Sequence, residues 1–275
     1  MSRTIPNVLS IAGVDPSGGA GILADVKAIS ALGGYGCAVA AALTAQNTQA
    51  VTHIHPVPAE FVGAQIDTLF QDVRIDACKI GMLGQVPVIR AVTEKLSKYP
   101  CHHLVLDPVM VAKSGDMLLE KSAVGELREA LLPLATMLTP NLPEGGVLLA
   151  QRAPETLAEM RKMAERLRES MNHQGHRWVF LKGGHLPGNE TTDLLHDGDI
   201  MLTLPGQRIA TDNTHGTGCT LSAALATLLA RGIAPQEAAK AAKDYLTQAI
   251  AHATELSVGQ GHGPVHHFHG VWENP

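Results

Sequence analysis

The stretch NVLSIAGVDPSGGAGILADVKAISALG, residues 7–33, decides the fold. Its opening NVLSIAG (7–13) reads as a buried strand that ends in a glycine-rich turn. GILADVKAISALG (21–33) reads as the helix after it. The same alternation continues along the chain. YGCAVAAALTAQN (35–47) fits a second buried strand, although its alanines fit a helix as well. PAEFVGAQIDTLFQDV (58–73) is amphipathic, DACKIGM (76–82) reads as a strand and VPVIRAVTEKLSKY (86–99) as a helix. HHLVLDPVM (102–110) is a strand ending at Asp107-Pro108, and MLTPNLPE (137–144) a short strand running into a loop. Leu157, Met160, Ala164, Leu167 and Met171 step by three and four, which puts them on one helix face as core. RWVFLKGGH (177–185) is a strand, and TTDLLHDGDIMLTLPG (191–206) carries the Asp-Gly-Asp signature of a hairpin. Two helices close the chain, the first marked by Leu221, Leu225, Leu228 and Leu229 on one face.

Strands alternating with helices imply an α/β fold with a mostly parallel sheet, covered by helices on both faces. Ligands in such sheets bind beyond the carboxyl ends of the strands. The polar and glycine-rich turns of this chain follow Ile11, Ile80, Leu106, Leu138 and Leu181, at those ends.

The 275 residues suffice for one large α/β domain or two modest ones, and with no repeat, low-complexity tract or linker a single domain over 1–275 is expected. At 45% hydrophobic and 17% charged the chain has the composition of a soluble globular protein, and at 3% aromatic its core must be aliphatic and alanine-rich. A net charge of -5 without a basic run excludes a nucleic-acid partner. No apolar stretch reaches membrane-spanning length, and the N-terminal apolar segment reads as the first strand and not as a signal peptide. Cys37, Cys78, Cys101 and Cys219 form no C-x-x-C pair, so neither a zinc site nor a disulfide framework is expected. A reduced, cytoplasmic protein follows.

The common nucleotide fingerprints are missing. Gly13, Gly18, Gly19 and Gly21 have the wrong offsets for a dinucleotide turn, and no Gly-Lys pair exists for a P-loop. There is no H-E-x-x-H and no G-x-S-x-G. THGTGCT (214–220) holds an anion in another way. Gly216 and Gly218 let the backbone around Thr217 turn its N–H groups inward, and a helix starting near Gly218 adds a positive dipole end. Such a hole suits a transferring phosphoryl group. Cys219 falls in the first helical turn, where a thiol pKa tends to drop. Taken alone, the segment fits slightly better a buried, inert cysteine behind a structural turn.

It does not stand alone. AGVDPSGGAGILADVKA (12–28), TAQNT (44–48), KIGML (79–83), LDPVMVAKSGD (106–116), LTPNLPE (138–144), KGGH (182–185), THGTGCTLSAA (214–224) and GPVHHFH (263–269) follow one another in the order of a known family. The chain resembles the hydroxymethylpyrimidine/phosphomethylpyrimidine kinases of thiamine biosynthesis, within the ribokinase-like superfamily. The resemblance implies a three-layer α/β/α fold and an enzyme using ATP and Mg²⁺. Its acceptors would be 4-amino-5-hydroxymethyl-2-methylpyrimidine and then the monophosphate. The resemblance also implies a homodimer.

Roles follow residue by residue. Cys219 takes the place of the superfamily's aspartate base, beside an anion hole of Gly216, Thr217 and Gly218. Asn141 and Glu144 match the N-x-x-E motif that holds magnesium largely through water, and the same two residues also fit a helix-capping box. Asp107, Lys182 and Thr214 match positions near the nucleotide phosphates; Lys182 also fits a solvated strand end. Gln46 matches the glutamine that reads the pyrimidine, and one primary amide can serve a ring nitrogen and its exocyclic amine together. Gly13, Asp25, Met82 and Val109 match other pocket positions, although Asp25 fits a solvated helix face and Met82 and Val109 fit core. His262, His266, His267 and His269 belong to the family's usual tail, which disfavours a metal there. His53/His55 and His102/His103 read as surface or strand-end residues, and 112–118 as a candidate flap. Alternatives are a pyridoxal or pyridoxine kinase of the same fold and a non-catalytic pyrimidine-binding protein. The missing fingerprint disfavours a nicotinamide dehydrogenase.

Overall fold

The computed structural model describes residues 4–110, 118–120 and 122–272. Strand β1 (Asn7–Val14) enters first, and its pleat sends Leu9 and Ile11 to one side and Val8 to the other. Helix α1 (Gly21–Ala31) returns the chain for β2 (Tyr35–Gln46), which pairs with β1 in parallel. The ambiguous alanine-rich run is therefore a strand. Next come β3 (Val51–Pro56), α2 (Ala59–Asp72), β4 (Ala77–Ile80), α3 (Val86–Lys98) and β5 (Leu104–Leu106). A short α4 (Ala123–Glu126) runs on through a wide turn and a tight turn to Leu134. After it lie β6 (Met137–Leu138), α5 (Leu142–Leu148), α6 (Leu157–Ser170), β7 (Trp178–Leu181), and the antiparallel pair β8 (Asp193–His196) and β9 (Met201–Leu204). The closing helices are α7 (Thr217–Ala230) and α8 (Pro235–Ala251).

The sheet has nine strands in the order β3-β2-β1-β4-β5-β6-β7-β8-β9. From β2 to β7 all neighbours are parallel, while β3, β8 and β9 join antiparallel at the two edges. One face packs against α2, α3 and α6, the other against α1, α7 and α8. This is the three-layer α/β/α architecture expected. The strand order reverses between β1 and β4, so the crevice for a ligand opens at their carboxyl ends.

Three readings change. Helix α7 is not one-sided: Thr220 through Leu229 are all buried, because α1, α8 and the sheet enclose it. Strand β3 escapes sequence patterning because Thr52, His53, Ile54 and His55 are all exposed on a sheet edge. The fully reduced chain is corrected at one place, since Cys78 on β4 and Cys101 just before β5 are joined in a disulfide. Parallel pairing of β4 with β5 brings these distant cysteines together. Among the described residues no helix is long and apolar enough to cross a membrane.

Candidate active site

The turn after β1 is organised by Asp15. Its carboxylate accepts from the Ser17 N–H and hydroxyl, each at 2.9 Å, and from the Ala20 N–H at 3.0 Å. Across from it lies the turn before α7, where His215 Nε2 donates to Asp15 Oδ2 at 2.7 Å. Gly216 caps α7 in the left-handed region with φ 76°, and a Cβ there would sit 1.8 Å from the Gly19 carbonyl oxygen. Only glycine permits both the conformation and this approach. With Gly216 as the cap, the N–H groups of Thr217, Gly218 and Cys219 open the helix without intrahelical acceptors, as an anion site requires.

Two Asp–Lys pairs flank this helix start. Beneath it, Lys79 Nζ lies 2.9 and 2.8 Å from the two oxygens of Asp25, which also accepts from Ser10 Oγ at 2.6 Å. Both side chains of the pair are 0% exposed, so Asp25 does not lie on a solvated helix face. It faces inward because α1 packs on β1, and only a partner cation makes a carboxylate tolerable there. Burial opposes the Lys79 charge, but Asp25, Cys219 and Asp107 outweigh it and raise its pKa.

In front of the helix start, Lys182 Nζ lies 2.9 Å from Asp107 Oδ1 and 3.9 Å from Glu144 Oε2. Asp107 also accepts from Thr139 Oγ1 at 3.1 Å and Ser222 Oγ at 3.4 Å. A Cβ on Gly218 would stand 3.2 Å from Lys182 Nζ and 3.4 Å from Asp107 Oδ2, so this glycine backs directly onto the pair. Asn141 and Glu144 form the capping box of α5, each side chain accepting from the other's N–H at 2.8 Å. Burial lifts Glu144 to about 7; Lys182 opposes the rise and Asp107 adds to it.

Cys219 sits between the two pairs, and its thiol is the main correction. Burial pushes it up to about 11; the Lys79 cation and the Gly21 N–H oppose the rise, while Asp25 and Asp107 add to it. The helix-start rule captures the local dipole but not two carboxylates delivered by α1 and β5. In the protein alone Cys219 is a thiol at neutral pH.

The acceptor-side residues stand at the ends of β1, β2, β4 and β5. Gly13 leaves room for Met82, whose Cε would lie 2.5 Å from a Cβ there. Met82 is buried and Val109 half-buried. Gln46 is half-buried at the end of β2; Thr44 Oγ1 lies 3.0 Å from its Oε1 and 2.9 Å from the Val14 carbonyl oxygen. Thr214 sits in the turn with its N–H on the Asp212 carbonyl at 2.9 Å. The candidate flap falls outside the described residues over 112–117.

The tail braces the anion turn from behind. The His215 N–H donates to the Gly263 carbonyl at 3.1 Å, and His267 Nε2 lies 3.1 Å from Thr220 Oγ1. Tyr245 donates to the His267 carbonyl at 2.8 Å. Among the described residues no three His, Cys, Asp or Glu side chains are grouped to hold a metal ion.

Sequence reasoning assigned no role to Asp15, Lys79, Ser222 or His215. For Lys79 a signal existed: a lysine inside the apolar run ACKI must be paired if that strand is buried. Its partner could not be named without knowing that β1 and β4 are neighbours.

Comparison with known proteins agrees with this architecture. The family model described as phosphomethylpyrimidine kinase matches residues 15–266. The chain is 51% identical over 268 residues to the hydroxymethylpyrimidine/phosphomethylpyrimidine kinase of Escherichia coli, covering 97% of this chain and 98% of that one. Its structure is similar to the phosphomethylpyrimidine kinase of Clostridium difficile, with TM-score 0.78 and 37% identity over 89% of this chain and 99% of that one. It is also similar to an ADP complex of Bacillus subtilis pyridoxal kinase, with TM-score 0.87 and 33% identity over 96% of this chain and 98% of that one.

Proposed function

The chain belongs to the phosphomethylpyrimidine kinase family, and from that membership we propose that it phosphorylates 4-amino-5-hydroxymethyl-2-methylpyrimidine and then its monophosphate. ATP is the donor and Mg²⁺ the accompanying ion, in a cytoplasmic homodimer. One observation carries the reading. Gly218, in the first turn of α7, backs directly onto the Asp107–Lys182 pair, and Cys219 is the next residue.

ATP would bring the phosphoryl group, and Mg²⁺, when bound, would supply positive charge to offset that of the phosphates. The residues present fit both. Lys182 supplies a partly accessible ammonium for phosphate oxygens, and the N–H groups of Gly218 and Cys219 supply donors where charge develops. Asn141 and Glu144 each commit an oxygen to the other's N–H, so they fit an ion held through water better than one bound directly. Gln46 orients the pyrimidine by its amide, while Met82 and Val109 offer apolar walls to the ring. Cys219 in its thiolate form, a small fraction at neutral pH, takes the proton of the acceptor hydroxyl and becomes the thiol; the monophosphate already offers an anionic oxygen and needs no base.

An assay of ADP formation against the alcohol, the monophosphate and pyridoxal tests the reading. Turnover on both pyrimidines and little on pyridoxal is expected, and turnover on pyridoxal alone overturns it in favour of the reading that the Bacillus subtilis neighbour supports. Cys219→Ala should lower turnover on the alcohol about 100-fold and on the monophosphate less than about 5-fold. Equal losses would remove the base role. Because the thiol stands near 11, kcat/KM for the alcohol should rise up to about tenfold per pH unit from 7 to 9, and stay flat for the monophosphate.

A further inference from the structure

The contact between the turn after β1 and the turn before α7 spans 200 residues of sequence and joins one side of the crevice to the other. Asp15 is 3% exposed and His215 8%, and the 2.7 Å bond between them is embedded in a tight cage. On the Asp15 side, Ser17 and Ala20 fix both carboxylate oxygens. Burial alone would raise the Asp15 pKa, but the bonds from His215 and Ser17 outweigh it and hold the carboxyl below its ordinary value. On the His215 side, a Cβ on Gly19 would stand 2.3 Å from the imidazole Cδ2, so the edge of the ring packs closely against the first turn. Gly216 then touches the Gly19 carbonyl, and the Gly21 N–H reaches the Cys219 thiol. Behind, the His215 N–H is held by Gly263. His215, Gly216 and Cys219 are thus each held against residues 15–21, which lead into the helix carrying Asp25.

We propose that Asp15 and His215 are positioning residues that lock the anion turn to the acceptor side, so that the phosphoryl group and the attacking oxygen are aligned. They act through the turn and not by touching the reacting atoms. The pair is a hydrogen-bonded unit, so losing either partner frees the same turn. Misplacement of about 1 Å at a transferring group costs about 100-fold in rate.

The role rests on the kinase reading above, and the test separates the two. In Asp15→Ala and His215→Ala, amide hydrogen exchange over 213–219 should quicken at least tenfold while the strands of the sheet keep their protection; this readout needs no substrate. Turnover on both acceptors should fall about 100-fold, with acceptor KM and ADP affinity within about 3-fold of the parent. The double variant should lose no more than either single one, and His215→Gln, which keeps an N–H for Asp15, should recover to within about tenfold. Unchanged exchange in the turn, additive losses in the double variant, or a loss confined to KM overturns the proposal. If the alanine variants lose protection everywhere, His215→Phe, which fills the space of the ring without an N–H for Asp15, carries the same measurements. Failure of the parent to phosphorylate a pyrimidine sinks the kinase reading, and the exchange result stands by itself.

Discussion

The two Asp–Lys pairs beside α7 use the same functional groups in different surroundings. Asp25–Lys79 is sealed, with both side chains 0% exposed and both carboxylate oxygens on one ammonium. In Asp107–Lys182 the lysine is 16% exposed, holds one oxygen of its partner and leans toward a second carboxylate, Glu144. A sealed pair has no competing ligand and stands as fixed charge beneath the start of α7. An open pair whose lysine faces two carboxylates leaves its ammonium accessible to a further anion. Burial, not residue type, separates a support from a tool.

The comparison breaks most sharply at Lys79. Lys79→Met should cost about 3–5 kcal/mol of stability, because Asp25 is left as an uncompensated buried charge. The double change Asp25→Asn/Lys79→Met should recover more than half of it, as read by urea denaturation. Next in size is Lys182→Met, expected to lower turnover about 100-fold, or about 2.7 kcal/mol of barrier, with less than half the stability loss of Lys79→Met. Equal stability losses at the two lysines would erase the distinction. The last effect is spread over a pH range and concerns a buried group outside the two pairs. Burial holds His267 down at about 3, with Lys27 and His266 adding to it. Its folded pKa lies below the ordinary 6.5, so an unfolded chain takes up this proton first. That contribution is complete above pH 6.5 and is lost as pH falls toward 3, at about 1.4 kcal/mol per unit. His267→Gln should flatten the urea midpoint between pH 6 and 4.

The sheet and its turns were legible because β1, β4, β5, β6 and β7 are buried on both faces and run into glycine or a polar residue. NVLSIAG and RWVFL carry that pattern without ambiguity. β3 was not legible, since no buried face imposes a pattern on VTHIHP. Of the site, the glycine turn that starts α7 and the capping box around Asn141 were legible because each forms within a few adjacent residues. The thiol shift at Cys219 and the Asp25–Lys79 pair were not. Each depends on which strands and helices become neighbours, and 54 residues separate that aspartate from its lysine.

The bond from His215 to Gly263 has a consequence for synthesis of the chain. On the ribosome, the sheet, α1 and most of α7's surroundings are made before residue 263 exists. Until that residue and His267 emerge, the anion turn lacks its rear support, however complete the sheet has become. A nascent chain stalled before that point can carry a folded sheet and still lack the support of this turn. The turn is completed by a segment made after the architecture that surrounds it.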